Sequence, residues 1–512
     1  MNESDLDKDK DKDDQSLTPY LSAYVTYIKS HPYPFDVPGH KLGGFETDLS
    51  RKISNIFAEY DANAPYGMDN LANPKTIIKD AEELAAKACH ADHCLFSVNG
   101  TTGGILTLMI SCLDNKDKII LPRNVHKSII NGLILSGAVP VFVTPDIDKD
   151  LGVACGVSAD SMIKAMDANP TAKAVLVINP TYFGVVSDLK RIVQEAHKRN
   201  MIVITDEAHG SNFYFSTELP ISAMDAGADC TAMSLHKNSG SLTQTSLILV
   251  KGNRVDFSEI RRAFAMVTST SPNAILLCSI DAARKEMALH GQEIIHKNIE
   301  MADALRKRIN AIPGLHVYGK EYETPGMTSG RFATDPTKLV IDVTGLGLYG
   351  YEAYKELRLK YNIQVELGEV SVILVLIGPG NKPEQLDYLV ESLKDMSKNH
   401  YKVVQRRKFP HFDYCFPRSI VPPREGYDAP TKIINLHDSI GEISGETVMA
   451  YPPGIPLIVP GEVINKDCID LIDFYHKEGG EVLKDTTIGK IKVVDRSRWA
   501  LAKDFLADND LK

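Results

Sequence analysis

Lys237 sits in the stretch "TAMSLHKNSGSLTQTSLILV" (231–250), directly after His236 and among small hydroxyl residues. A lysine on a solvated surface needs no such company. A lysine that must lose its proton and attack a carbonyl does, because burial and polar neighbours lower its pKa. Upstream, "IVITDEAHG" puts Asp206 at the end of a β-branched run. An acid and a lysine at neighbouring strand mouths also admit a plainer reading, as a buried ion pair or as unrelated surface groups. A third feature, "VNGTTGG" (98–104), places a glycine turn and two hydroxyls where "TGGILTLMISCL" opens a helix. Backbone N–H groups at the positive end of a helix dipole suit a phosphate. Threonine there also serves as an ordinary helix N-cap. Taken together the three parts point to pyridoxal 5'-phosphate, whose aldehyde needs a lysine, whose ring nitrogen needs a carboxylate, and whose phosphate needs such a cradle. His126, in "LPRNVHKS", can stack on the ring; by itself it is an ordinary loop histidine.

These groups need a scaffold that collects them. From about residue 75 to 300, short β-branched runs ("HCLFSVNG", "KIILPRN", "PVFVTP", "AVLVINP", "IVITDEAHG", "CTAMSLHK") alternate with helical stretches of 10–15 residues. That alternation predicts βαβ units around a mainly parallel sheet. Ligands of such sheets bind beyond the carboxyl ends of the strands, where "SVNGTT", "LPRNVH", "INPTYFG", "TDEAHG" and "SLHK" all begin. The expected organisation is a tail over 1–16, an N-terminal arm over 17–74 containing a short helix and "HPYPFDVPGHKLGG", and a large domain over 75–312. A small α/β domain over 313–400 and a proline-punctuated C-terminal domain over 401–512 follow. The run "VSVILVLIG" at 370–378 reads as a buried strand.

The chain has 512 residues, 43% hydrophobic and 24% charged, with a formal net charge of −10 and a pI near 5.9. This is an ordinary globular composition, and the negative balance argues against general binding to nucleic acid or anionic membranes. No apolar run approaches the about 20 residues of a membrane helix, and "MNESDLDKDKDKDDQS" lacks a signal-peptide core and reads as a disordered, solvated tail. Eight cysteines, none in a C-x-x-C pair, read as reduced core residues of a cytoplasmic protein. "CHADHC" (89–94) offers metal-ligand types at the end of an apolar-periodic helix without a second cluster, so a core reading is preferred to zinc and no metal is expected. "DEAH" also marks an ATP-dependent helicase motif, but no G-x-x-x-x-G-K-[ST] precedes it.

The ordered set "PFDVPGHKLGG", "LFSVNGTTGGI", "LPRNVHKSIINGL", "TDEAHGSNFYF", "GADCTAMSLHKNSGSLTQTS", "TSTSP", "YNIQVELGEV" and "YPPGIPLIVPGE" covers roughly residues 31–470. It resembles the Orn/Lys/Arg decarboxylases, fold-type I pyridoxal-phosphate enzymes, in the shorter form without an N-terminal wing domain. The resemblance implies an aspartate aminotransferase-like α/β large domain, a small α/β domain and a C-terminal α+β domain. It implies that Lys237 holds the cofactor as a Schiff base, that Asp206 pairs with the ring nitrogen, and that Ala208 and His126 lie on the two ring faces. Thr101, Thr102, Ser234 and His236 would bind the phosphate, and Ser269 and Thr270 would reach the phosphate of a neighbouring subunit in a homodimer or higher homo-oligomer. His209 receives no firm role.

The implied reaction is decarboxylation of a basic amino acid in polyamine metabolism, with arginine to agmatine first and lysine to cadaverine or ornithine to putrescine close behind. Lys237, His236 and Asp206 would do the chemistry. Glu462, in "PGEVI", is the acid for the basic end of the substrate, or else a capping or salt-bridging glutamate. Where many relatives read "LDDLHxP" near the entrance, this chain reads "MDNLANP" at 68–74, with Asp69 kept but Asn70 and Ala72 replacing the second acid and the histidine. An aminotransferase or lyase on the same scaffold, or a non-catalytic binder, is the competing reading.

Overall fold

The computed structural model describes residues 13–148, 150–401, 416–451 and 455–499. Most of the expected tail, Cys415 and the "PPG" (452–454) of "YPPGIPLIVPGE" lie outside the described residues. The chain divides into two compact units, one of Met1–Ser111, Ile204–Lys297 and Gly378–Gly380, the other of Cys112–Val203, Asn298–Ile377 and Asn381–Lys512.

In the first unit, strands stand in the order His93–Ser97, Ser246–Val250, Cys230–Ser234 and Ile202–Glu207. The last two pair in parallel, while Ser246–Val250 runs antiparallel to both neighbours. Cys230–Ser234 is buried along its whole length, as expected of a strand covered on both faces. Helix Gly100–Cys112 lies close against this sheet because Gly104 has no side chain: a Cβ there would come within 2.8 Å of the Ala232 Cβ and 3.2 Å of Ile248. Helix Ile77–Ala88 turns Ile78, Ala81, Leu84 and Ala85 inward at helical spacing. It is capped from a distance. Thr76 makes no side-chain cap, and the carboxylate of Asp69, a left-handed residue at φ 63°, accepts instead from the N–H groups of Lys75, Thr76 and Ile78.

The arm holds three helices rather than the single one expected: Pro19–Lys29, Asp48–Lys52 and Ile56–Glu59. The first is fastened to the long helix Ala274–Asn310. Its opening N–H groups, those of Tyr20 and Leu21, donate to Asp281 Oδ2, and Arg284 donates to the carbonyls of Gln15 and Leu17. Asp281 and Arg284 also pair with each other at 2.7 Å and are fully buried.

In the second unit, Ala174–Ile178, Lys118–Pro122 and Val139–Val143 form a parallel trio. A four-stranded antiparallel sheet, Leu367–Gly368, Val372–Leu376, Lys338–Asp342 and His316–Val317, follows. Helices Gly350–Lys360 and Pro383–His400 contribute to its core. The "VSVILVLIG" run supplies the strand Val372–Leu376, with Ile373 and Leu374 fully buried. The C-terminal segment adds a two-stranded and a three-stranded sheet with helix Lys466–Glu478. Its core is shared, since Tyr349 and Val370 pack in one cluster with Leu436, Ile458, Ile472 and Ile491.

"CHADHC" is divided between elements, with Cys89 capping helix Ile77–Ala88 and Cys94 inside a strand. Among the described residues no group of three His, Cys, Asp or Glu side chains could hold a metal. No helix among them is long and apolar enough to cross a membrane.

Candidate active site

Strand register builds the centre of the first unit. Asp206 stands opposite Ala232 and Glu207 opposite Met233 in a parallel pair, so both chains leave the sheet at the same edge. One carries Asp206 and Ala208 there; the other continues into the short helix Leu235–Asn238, which carries His236 and Lys237. Asp206 is 4% exposed, and its Oδ1 accepts from the Ala208 N–H at 3.0 Å. That bond fixes the carboxylate plane.

A row of hydroxyls crosses three strands beside it, because Ser246 stands opposite both Ser97 and Ser234. Thr101, in the first turn of helix Gly100–Cys112, joins the row, with its Oγ1 at 2.6 Å from Ser234 Oγ and 3.3 Å from Ser246 Oγ. The turn before that helix is held twice. Gly100, at φ +65°, donates to the Gln244 carbonyl at 2.8 Å, and Asn99 Nδ2 donates to the Val267 carbonyl at 2.9 Å. Thr102 is exposed on the same turn. His236 Nδ1 lies 2.8 Å from the Thr245 carbonyl. A carbonyl only accepts, so Nδ1 carries the hydrogen and the tautomer is set.

Lys237 is half-buried, and its Nζ lies 2.9 Å from Nε2 of His209, which is 4% exposed. The next two residues bind the same loop: Asn238 Nδ2 donates to the His209 carbonyl, and Ser239 Oγ meets Ser211 Oγ at 2.9 Å. Three consecutive side chains thus stitch the lysine turn to residues 209–211. Ser269 and Thr270 are exposed in the loop after helix Phe257–Val267.

His126 and Glu462 belong to the second unit. His126 is exposed and caps helix Lys127–Ser136, its Nδ1 accepting from the Ser128 N–H at 3.2 Å. Glu462, expected at the basic end of the substrate or else as a capping or salt-bridging glutamate, stands in an ion pair. It is 1% exposed and pairs in a fork with the fully buried Arg123: Nη2 donates to Oε2 at 2.9 Å and Nη1 to Oε1. The Val459 N–H also donates to Oε2, at 2.8 Å. Arg123 reaches the carbonyls of Pro456 and Leu457 too and lies over the rings of Phe142 and Phe416. Both oxygens of Glu462 are therefore engaged inside the protein, where a bidentate guanidinium meets its carboxylate. Asp69, the acid kept in "MDNLANP", is engaged as well. Burial would push its carboxyl up, but the N–H groups of Thr76, Lys75, Asn70 and Ile78 hold it below the usual carboxylate range. Arg123 lies within the quoted "LPRNVH", yet the sequence offered no sign of its partner.

The donor set suits a phosphorylated pyridine aldehyde: an amine on Lys237, a buried carboxylate on Asp206, and hydroxyls gathered at a helix N-terminus whose first N–H groups have no partner within the helix. Residues 18–385 match the major domain of Orn/Lys/Arg decarboxylase, and residues 416–480 match its C-terminal domain.

The chain belongs to the Orn/Lys/Arg decarboxylase family.

This decarboxylase is 40% identical to the arginine decarboxylase of Halalkalibacterium halodurans over 484 residues, covering 94% of this chain and 98% of the relative. It is 39% identical to the arginine decarboxylase of Bacillus subtilis, over 94% of this chain and 99% of that protein. The constitutive lysine decarboxylase of Escherichia coli is 21% identical, with 90% of this chain and 77% of the relative covered. Among solved structures, a lysine decarboxylase of Francisella novicida superposes with a TM-score of 0.79 at 18% identity, covering 94% of this chain and 81% of the other. That likeness confirms the expected fold class, the α/β architecture of fold-type I pyridoxal-phosphate enzymes.

Proposed function

We propose that the decarboxylase converts arginine to agmatine and carbon dioxide with pyridoxal 5'-phosphate. The observation that carries this reading is the convergence of Lys237, Asp206 and the Thr101–Ser234 hydroxyls at one edge of one sheet. Near-40% identity to proteins named arginine decarboxylases supports the choice of amino acid.

When bound, the cofactor supplies a sink for the electron pair left as the Cα–carboxylate bond breaks. Lys237 would hold it, and Asp206 would keep its ring nitrogen protonated. Thr101, Thr102, Ser234 and His236 would hold the phosphate. Ala208 would pack on one face of the ring; a stacking role for His126 rests on the family resemblance alone. Lys237 or His236 returns a proton to Cα. Ser269 and Thr270 serve a neighbouring copy in a homodimer, a role that suits their exposure. A place in polyamine metabolism follows from the amine product. The seven buried cysteines among the described residues suit the cytoplasm.

Mass spectrometry of the products from an equimolar mixture of amino acids tests the reaction. Agmatine as the main product is expected. Cadaverine or putrescine in its place would overturn the choice of arginine, and keto acids without amine would overturn the reaction.

A further inference from the structure

The bond between Lys237 and His209 has no part in the scheme above, yet it addresses a problem that scheme leaves open. A lysine attacks a carbonyl only through a free lone pair, and an ammonium has none. The Nζ of Lys237 needs a neighbour that can accept its proton and hold it on line. His209 Nε2 is 2.9 Å away. The ring is 4% exposed, and its backbone is clamped by Asn238, the residue after Lys237. Ser239 and Ser211 close the third stitch. The contact therefore joins two segments whose separation is fixed at two further points, rather than a floppy lysine brushing a surface ring.

We infer that His209 is a positioning residue for Lys237: it orients the amine and relays one of its protons while the lysine joins the cofactor. This rests on the reading of Lys237 as the cofactor lysine. The step balances without another reactant. The Nζ lone pair adds to the aldehyde carbon and the carbon–oxygen double bond is lost. A carbon–nitrogen double bond forms and water departs. Of the three ammonium hydrogens two leave with the oxygen, His209 ferrying one of them across, and one stays on nitrogen.

The test uses the full chain freed of cofactor. Capture of pyridoxal 5'-phosphate is followed by absorbance, with borohydride trapping and peptide mass spectrometry to locate the bond. Affinity for pyridoxine 5'-phosphate, which has no aldehyde, is measured alongside. His209→Ala is expected to slow capture at least tenfold and to leave the pyridoxine 5'-phosphate affinity within twofold. His209→Gln, whose amide oxygen reaches about as far as Nε2 and can orient the amine but cannot take its proton, is expected to restore only part of the rate; His209→Asn, whose amide reaches only about as far as Nδ1, is expected to restore none.

Capture by His209→Ala within twofold of the wild-type rate would overturn the inference. Equal losses of capture rate and pyridoxine 5'-phosphate affinity would also overturn it, since they would mark a residue that only shapes the pocket. Wild-type protein trapped at a lysine other than Lys237 would overturn the cofactor reading itself, a result distinct from both.

Discussion

Asp206 presents a carboxylate whose plane is set by the Ala208 N–H before any ligand arrives. Asp206→Asn keeps an oxygen for that bond and loses only the charge. The variant should retain cofactor absorbance while kcat falls by about 10²–10⁴, the range for a positioned proton-handling group; a kcat within threefold of wild type would remove Asp206 from the ring-nitrogen role. Glu462 behaves oppositely. Removing its charge strands the buried Arg123, at a cost of about 3–5 kcal/mol. Glu462→Gln should therefore lower the urea midpoint strongly and leave KM for arginine nearly unchanged in the protein that remains folded. A large rise in KM without loss of stability would return Glu462 to the substrate. The chemistry of Lys237 and Asp206 was legible because their types and neighbours announce it locally. The engagement of Glu462 was not, because its partner lies on a strand end far away in sequence. His209 was visible as a residue and silent as a contact for the same reason.

Helix Gly100–Cys112 brings its first turn to the hydroxyl row only because Gly104 lets it lie against Ala232 and Ile248. Gly104→Ala would force a Cβ to within 2.8 Å of the Ala232 Cβ. Overpacking of this kind costs about 1–3 kcal/mol, so the melting temperature should drop and inorganic phosphate should bind more weakly. Unchanged phosphate affinity would show that the helix does not set the cradle. The alternation of short apolar runs with helical periods made these elements readable, since a strand buried on both faces and an amphipathic helix each leave a period in the sequence. The arm did not read as well. Its helices Asp48–Lys52 and Ile56–Glu59 are too short to show a period, and the cap on Ile77–Ala88 comes from Asp69 rather than from the adjacent Thr76.

Buried carboxyls tie the stability of the whole molecule to pH. Burial pushes Glu369 up from 4.5 to about 7, against the opposing pull of the Val370 N–H and the Tyr475 hydroxyl. The folded state thus holds a proton that the unfolded chain releases near 4.5. The contribution is complete below that pH and is lost as pH rises to about 7, on the order of 3 kcal/mol. Burial raises Glu82 to about 7 too, giving the same sign. Trp499, the single tryptophan and buried in the second unit, reports unfolding there. By its fluorescence, urea midpoints should fall between pH 4.5 and 7, and Glu369→Gln should flatten that slope; an unchanged slope would show that Glu369 is ionised in the folded chain.

The Arg123–Glu462 fork has a consequence for inheritance. The arginine comes from the segment matched as the major domain and the glutamate from the segment matched as the C-terminal one, so the two cannot be traded independently. A chimera that receives its C-terminal segment from a donor without the glutamate would inherit a buried cation with no counter-charge. An exchange of the C-terminal segment in this chain must therefore carry the glutamate with it, whereas an enzyme cut back to its major domain would lose the hydrogen-bond partners of the Arg123 guanidinium together with the segment that supplies them, and water would take their place.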